Sequence, residues 1–231
     1  MNTITWKGVS SETIPGLLIS ELPPITKPEM RVRTTKIEGR DGDIVDELGY
    51  ESYNKKIKIG LHGAFDIDAV IKYFTGSGKI TFSNEPDKYY IARIINKVDY
   101  QRLIRYRTAS VEFHVQPFKY KLNEAEIDET ITSQEEITVV NSGLEIAKPK
   151  VTVYGTGEIT IKKNGSDVFK IDMSDDEFIV IDSTEEEAYA GAELKNRQMT
   201  GQFLKLDPGE NTITWTGDLS RIKIEPRSRW L

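Results

Sequence analysis

The stretch Lys150-Val151-Thr152-Val153-Tyr154-Gly155-Thr156-Gly157-Glu158-Ile159-Thr160-Ile161-Lys162-Lys163-Asn164-Gly165 decides the fold. Val151 and Val153 alternate with polar neighbours, and so do Ile159 and Ile161, which is the two-residue period of a half-buried strand. Gly155-Thr156-Gly157 reads as a turn between the two runs. Asn164-Gly165 reads as a two-residue hairpin, because both residues tolerate positive φ. The same grammar continues downstream. Val168, Phe169 and Ile171 lead to Ser174-Asp175-Asp176, and Phe178 to Ile181 is a short buried run. Phe203, Leu204 and Leu206 precede Asp207-Pro208-Gly209; Ile213 and Trp215 precede Gly217-Asp218; Ile222 and Ile224 precede Pro226. About seven short strands at roughly 8–12-residue spacing predict an antiparallel β-sandwich.

The first half reads as strand with one helix. Ile57, Ile59 and Leu61 alternate with Lys56, Lys58 and Gly60, Ile80 alternates with Phe82, and Ala109, Val111, Phe113 and Val115 alternate with polar residues. The run from Tyr90 to Tyr100 is apolar on both phases and predicts a strand buried on both sides. Gln101-Arg102-Leu103-Ile104-Arg105 then reads as a hairpin tip. In Asp66–Phe74, Ile67, Val70, Ile71 and Phe74 fall at i, i+3, i+4 and i+7, one apolar helical stripe. Asp66 is placed to cap its start and Gly76 to end it.

Composition narrows the function. The 231 residues carry 31 basic and 37 acidic side chains, net −6. Residues 1–120 hold 18 basic and 15 acidic groups, net +3, and residues 121–231 hold 13 and 22, net −9. That shift, with the breakers Asn141-Ser142-Gly143 and Lys148-Pro149, predicts two domains, 1–140 and 141–231. An acidic balance argues against a dedicated nucleic-acid binder. With no cysteine, thiol nucleophiles, disulfides and cysteine-held metals are excluded. No apolar run approaches the roughly 20 residues of a membrane span, and Met1–Trp6 lacks the pattern of a secretory signal.

Chemistry-bearing patterns are weak. His62 and His114 both read as strand-surface residues. No Gly-x-Ser-x-Gly elbow is present. Asp41-Gly42-Asp43 with Asp46 and Glu47 is an acidic turn. Asp172-x-Ser174-x-Asp176 begins like a calcium loop but has Glu177 where that loop needs glycine. Gly76-Ser77-Gly78 and Gly155-Thr156-Gly157 lack the spacing of a phosphate loop. The expectation is therefore a non-enzyme with no cofactor and no metal. Two surfaces remain. Arg102, Arg105 and Arg107 with Tyr100 and Tyr106 form a basic aromatic cluster suited to a protein interface. Trp215, Tyr189 and Trp230 could stack on sugar rings, which keeps open the alternative of a carbohydrate-binding module that recognises a cell-wall saccharide.

Several landmarks, in order, resemble one family. They are Ile37-Glu38-Gly39-Arg40-Asp41-Gly42, the capped helix 66–74, Asn84-Glu85-Pro86-Asp87-Lys88-Tyr89-Tyr90 and Phe113-x-x-x-Pro117-Phe118-Lys119-Tyr120. Asn141-x-Gly143, Leu206-Asp207-Pro208-Gly209-Glu210-Asn211-x-Ile213-x-Trp215 and Pro226-Arg227-x-Arg229-Trp230 follow. The chain resembles the distal tail (Dit) proteins of long-tailed, non-contractile bacteriophages and prophages. The resemblance implies a mainly β fold. Its N-terminal domain is sandwich-like, with a short helix and a hairpin, and its C-terminal sandwich is of galectin or carbohydrate-module type. It also implies a virion structural protein, made in the host cytoplasm and placed at the tail tip. In that family the N-terminal domain closes a hexameric ring that joins the tail tube protein to the hub protein. The C-terminal domain projects outward and, in some phages, carries receptor-binding proteins. DNA slides through the channel without specific binding, so Arg102, Arg105 and Arg107 are expected at a subunit contact and away from the lumen.

Overall fold

A computed structural model describes residues 1–133 and 135–231, and the chain divides into two compact units, Met1–Leu122 with Leu231, and Asn123–Trp230. The division lies at the start of the composition shift, ahead of the expected boundary at 140/141. Ile127–Thr130 and Glu136–Asn141 form strands that pair with a strand of the second unit, so this stretch folds with that unit.

The first unit contains β1 (Ile4–Trp6), β2 (Val9–Ser10), β3 (Leu17–Glu21), β4 (Met30–Lys36), β5 (Asp43–Tyr50), β6 (Tyr53–Leu61), α1 (Ile67–Tyr73), β7 (Ser77–Phe82), β8 (Lys88–Arg93), α2 (Tyr100–Tyr106) and β9 (Thr108–Lys121). One antiparallel sheet runs β2-β1-β7-β8-β9-β6-β3. The alternating residues Ile57, Ile59, Val111, Phe113, Ile80 and Phe82 point into one core with Trp6, and Val70 and Tyr73 of α1, Phe74 just after it and Leu103 of α2 complete it. Trp6 and Phe113 meet edge to face, centroids 5.2 Å apart. Asp66 caps α1 as expected, accepting from the backbone N–H of Asp68 and Ala69. The buried stripe is rotated, however: Tyr73 takes the place expected of Ile71, which is exposed. Its hydroxyl donates to the Val9 carbonyl at 3.1 Å, so this large side chain is satisfied at both ends.

Two expectations for the first unit are corrected. The run 90–100 is not one doubly buried strand: β8 ends at Arg93, and Ile91 and Ile95 face solvent. The hairpin tip is a helix. Strands β8 and β9 do pair, with Ala92 opposite Val115, but residues 94–107 between them hold α2. Asp99 caps it through the Arg102 N–H, and burial of Leu103 anchors it.

The second unit contains β10 (Ile127–Thr130), β11 (Glu136–Asn141), β12 (Lys150–Lys163), β13 (Ser166–Asp172), β14 (Phe178–Asp182), β15 (Glu187–Ala190), β16 (Glu193–Leu194), β17 (Met199–Gly201) and β18 (Gly209–Glu225). The expected turn at Gly155-Thr156-Gly157 is instead a bend inside the long strand β12. Its partner β18 bends opposite, at Gly217-Asp218, and the register shifts there. Before the bend, β12 pairs with β14; after it, with β13. The two strands thus pass through both layers of a sandwich, and Val151, Ile161, Phe169, Ile181, Ile213 and Ile224 from the two layers share one core. Asn164 and Gly165 form the expected tight hairpin, at φ 49° and 82°. Among the described residues the fold is mainly β, of curled antiparallel sheets, with two short α-helices.

Candidate assembly interface

Strands β4 and β5 form a two-stranded sheet of their own, with no third strand on either edge among the described residues. Thr34 pairs with Val45 and Thr35 with Ile44, so Val32 and Val45 lie on one face and Ile44 on the other. Val32, Ile44, Val45 and, in the connecting turn, Ile37 are all exposed. Arg33 donates to Asp46 across the pair from Nε and Nη2, at 3.3 and 3.1 Å. An isolated hairpin in water is marginal. This one carries branched aliphatic residues outward on both faces and two unpaired edges, a combination that calls for a covering partner. In sequence its tip is legible as an acidic turn and as the Ile37–Gly42 landmark, with no sign of the exposed strands on either side.

The basic cluster divides. Tyr100 packs against the core beside Leu103, and burial raises its phenol pKa. Arg107, in left-handed backbone geometry at the end of α2, stacks its guanidinium over Phe65, 4.5 Å from the ring centroid. Arg102, Arg105 and Tyr106 are the outward members, with exposed Ile104 between them. Neither Arg102 nor Arg105 has a carboxylate partner among the described residues; Arg105 lies over the Tyr106 ring at 5.3 Å.

Two of the three aromatic candidates of the second unit, Trp215 and Tyr189, lie toward opposite ends of β12. Trp215 pairs with Ile161 near one end of β12, is half-buried against the core, and borders Glu135, Glu136 and Lys162. Tyr189 on β15 is reached from Thr152, near the other end of β12, through Val180. Trp230 lies in the half-buried C-terminal stretch.

Several of the remaining polar candidates have structural partners. His114 Nδ1 lies 2.9 Å from Asn54 Oδ1 across the β6–β9 pair. Asp172 accepts from the Ser174 N–H in a turn, and Asp176 meets Lys195 at 3.0 Å. Among the described residues no three ligating side chains gather into a metal-like group, and no helix is long and apolar enough to cross a membrane.

One cluster escaped the sequence analysis. Lys55, 2% exposed, stands on the inward phase of β6. Its Nζ lies over the rings of Tyr90, Tyr53 and Phe82, at 4.8, 5.5 and 5.9 Å. Nearby, Glu85 accepts from Lys119 Nζ at 2.6 Å and from the Tyr90 hydroxyl at 2.5 Å. Burial lowers the Lys55 pKa to about 8, against the opposing pull of Glu85. Burial pushes the Glu85 carboxyl up, but the hydrogen bonds from Lys119 and Tyr90 and the two ammonium charges outweigh it and hold it below the usual range. The signal was present in sequence: a lysine at 55, in phase with Ile57, Ile59 and Leu61.

No family model matches the chain, and no curated protein matches it. Among solved structures, the chain is similar over 100% of both chains to the Dit protein of phage SPP1, a paradigm of the hub adsorption apparatus in phages that infect Gram-positive bacteria. The TM-score is 0.71 and the identity 16%. A chain of the phage P2 baseplate, in its activated conformation with Ca, is similar over 97% of each chain, with TM-score 0.52 and 8% identity. At such identities it is the path of the backbone that is shared, and from end to end this chain has the fold of a Dit protein.

Proposed function

We propose that the protein is a structural subunit of a phage tail tip, built into a hexameric ring that joins the tail tube to the hub and baseplate. The observation that carries this reading is the β4–β5 arm. Its apolar side chains face outward on both sides, so burying them takes a surface outside its own hairpin. A head-to-tail contact between identical copies supplies one and repeats until the ring closes. Charge favours the same reading. The first unit has 19 basic and 15 acidic residues, net +4, and the second has 12 and 22, net −10. Arg102, Arg105 and Tyr106 then meet a neighbouring copy, and DNA passes a channel that does not hold phosphate tightly. The ring faces are left for the tube and hub proteins, and the second unit for receptor-binding proteins. No catalysis is assigned.

The test is native mass spectrometry and negative-stain microscopy of the full chain, alone and co-expressed with the tail tube and hub proteins of its phage. A closed ring in at least one of these settings is expected. A chain that stays monomeric with both neighbours present overturns the reading.

A further inference from the structure

The arm is tethered by an unusual strap. Residues 22–29, between β3 and β4, contain three prolines, of which Pro23 and Pro28 are buried. Proline has no N–H, so the strap cannot be held as a strand would be. Side chains hold its carbonyls instead. Asn84 Nδ2 donates to the Pro23 carbonyl at 3.0 Å, Lys55 Nζ to that of Pro24 at 3.0 Å, and the Tyr53 hydroxyl to that of Thr26 at 3.4 Å. The Glu51 N–H closes the far end on the Glu29 carbonyl at 2.8 Å.

The central donor is costly. Lys55 stands at a core position where Ile or Leu would satisfy the pattern of β6. A buried ion is weak evidence for stability, because an apolar residue of similar size often serves as well or better. A local rule broken in this way points to a role outside stability. Glu85 supplies the nearby negative charge, itself fixed by Lys119 and Tyr90, so the ammonium is held where the Pro24 carbonyl meets it.

We infer that Lys55, with Asn84 and Tyr53, is a positioning device that pins the proline strap and so sets the direction in which the β4–β5 arm leaves the first unit. The inference rests on the ring reading for its purpose and on the strap contacts for its mechanism. In the free subunit the pin keeps the arm in one orientation, so ring closure does not begin with ordering it. Asn84, Glu85 and Tyr90, which stand together in the Asn84–Tyr90 motif, acquire roles in this one arrangement.

The experiment compares wild type, Lys55→Met and the double variant Asn84→Ala/Tyr53→Phe as full chains. Hydrogen exchange is followed by mass spectrometry at concentrations too low for assembly, and ring formation is measured separately. In Lys55→Met, amides of residues 30–50 are expected to exchange at least roughly tenfold faster while those of β6 and β9 keep wild-type protection. Ring yield should fall with melting temperature unchanged or higher. If Lys55→Met loses protection throughout the first unit, the double variant decides, since it removes two strap donors and leaves the buried ions in place. Unchanged exchange over 30–50 in the folded variant overturns the pin. Faster exchange with undiminished ring yield overturns its role in assembly. A wild type that forms no ring with its neighbours defeats the ring reading, while the exchange result still stands or falls by itself.

Discussion

Lys119 Nζ stands 2.6 Å from Glu85 Oε1, and each side chain is less than a tenth exposed. The pair ties the end of β9 to the turn after β7, beneath the aromatic rings that surround Lys55. Breaking a buried pair by removing one partner costs about 3–5 kcal/mol, because an uncompensated charge remains. The two partners are not equivalent here. Loss of Lys119 leaves Glu85 with Tyr90 and the Lys55 charge, whereas loss of the carboxylate leaves two buried ammonium groups facing each other. Glu85→Gln should therefore destabilise the first unit more than Lys119→Met in urea unfolding. The reverse order would mean that Lys55 is already neutral.

The same cluster gives a pH signature. The Lys55 pKa is about 8 when folded, below the unfolded value of about 10.5. Between these values the unfolded chain binds more protons, so stability rises with pH across that window. Tyr53 has the opposite sign: burial, then the Glu85 charge, raises its phenol to about 12. Its contribution is complete below the unfolded value near 10 and disappears as pH climbs from there to about 12. Wild type should gain on Lys55→Met in chemical unfolding between pH 8 and 10. Above pH 10 it should lose stability more steeply than Tyr53→Phe.

The bend in β12 and β18 gives a graded glycine series. Gly217 has φ +97°, and a Cβ there would fall on the Glu158 carbonyl oxygen; a Cβ on Gly155 would fall on that of Asp218. Gly157 has φ +66° with open space around it. Gly157→Ala should cost about 1 kcal/mol, from left-handed geometry alone. Gly217→Ala and Gly155→Ala should each cost about 3 kcal/mol or more, because backbone must move. Equal costs in thermal unfolding would show that the bend relaxes freely.

This bend also marks how far the sequence is legible. Alternation in Val151–Val153, Ile159–Ile161 and Ile222–Ile224 identifies strands and their buried faces, because burial imposes the period. Gly155-Thr156-Gly157 and Gly217-Asp218 look like turns, since a turn and a strand bend both call on glycine; only the pairing of one against the other tells them apart. The α2 segment fails for a different reason. One buried leucine in seven residues gives no helical period, and the Asp99 cap is a single residue. The β4–β5 arm is least legible. Neither face meets the core of its unit, so nothing forces its apolar residues onto one phase.

Asp182 and Arg227 close the second unit. The guanidinium grips both carboxylate oxygens, at 2.7 and 2.9 Å, while the Thr184 N–H donates to the same carboxylate at 2.9 Å. Burial pushes the Asp182 carboxyl up, but these bonds and the Arg227 charge hold it below the usual range. Arg227→Ala should cost about 3 kcal/mol by stranding a carboxylate that is 6% exposed. Arg227→Lys should recover only part of this, since an ammonium cannot span both oxygens. As its pKa is depressed, the Asp182 contribution is present above the ordinary carboxylate range and fades as pH falls through the folded value. Wild type and Arg227→Ala should therefore converge in acid.

The outward arginines are open to a sharper test than the buried groups, because reversing their charge leaves the fold alone. Arg102 and Arg105 touch neither core, so Arg102→Glu/Arg105→Glu should change melting temperature little; exposed substitutions usually stay within about ±0.5 kcal/mol. Arg107→Glu is the contrasting case. It removes the guanidinium stacked over Phe65, at a cost of roughly 0.5–1 kcal/mol. If Arg102 and Arg105 meet acidic groups of a neighbouring copy, the double reversal removes attraction and adds repulsion, and like charges across an interface cost several kcal/mol. Ring yield in native mass spectrometry should then collapse in the double variant. Added salt should weaken the wild-type ring and relieve the repulsion in the variant, because exposed charges are screened within about 10 Å at 0.1 M. Undiminished ring yield in the double variant would move these arginines out of the subunit contact, leaving the arm as the surface on which copies meet.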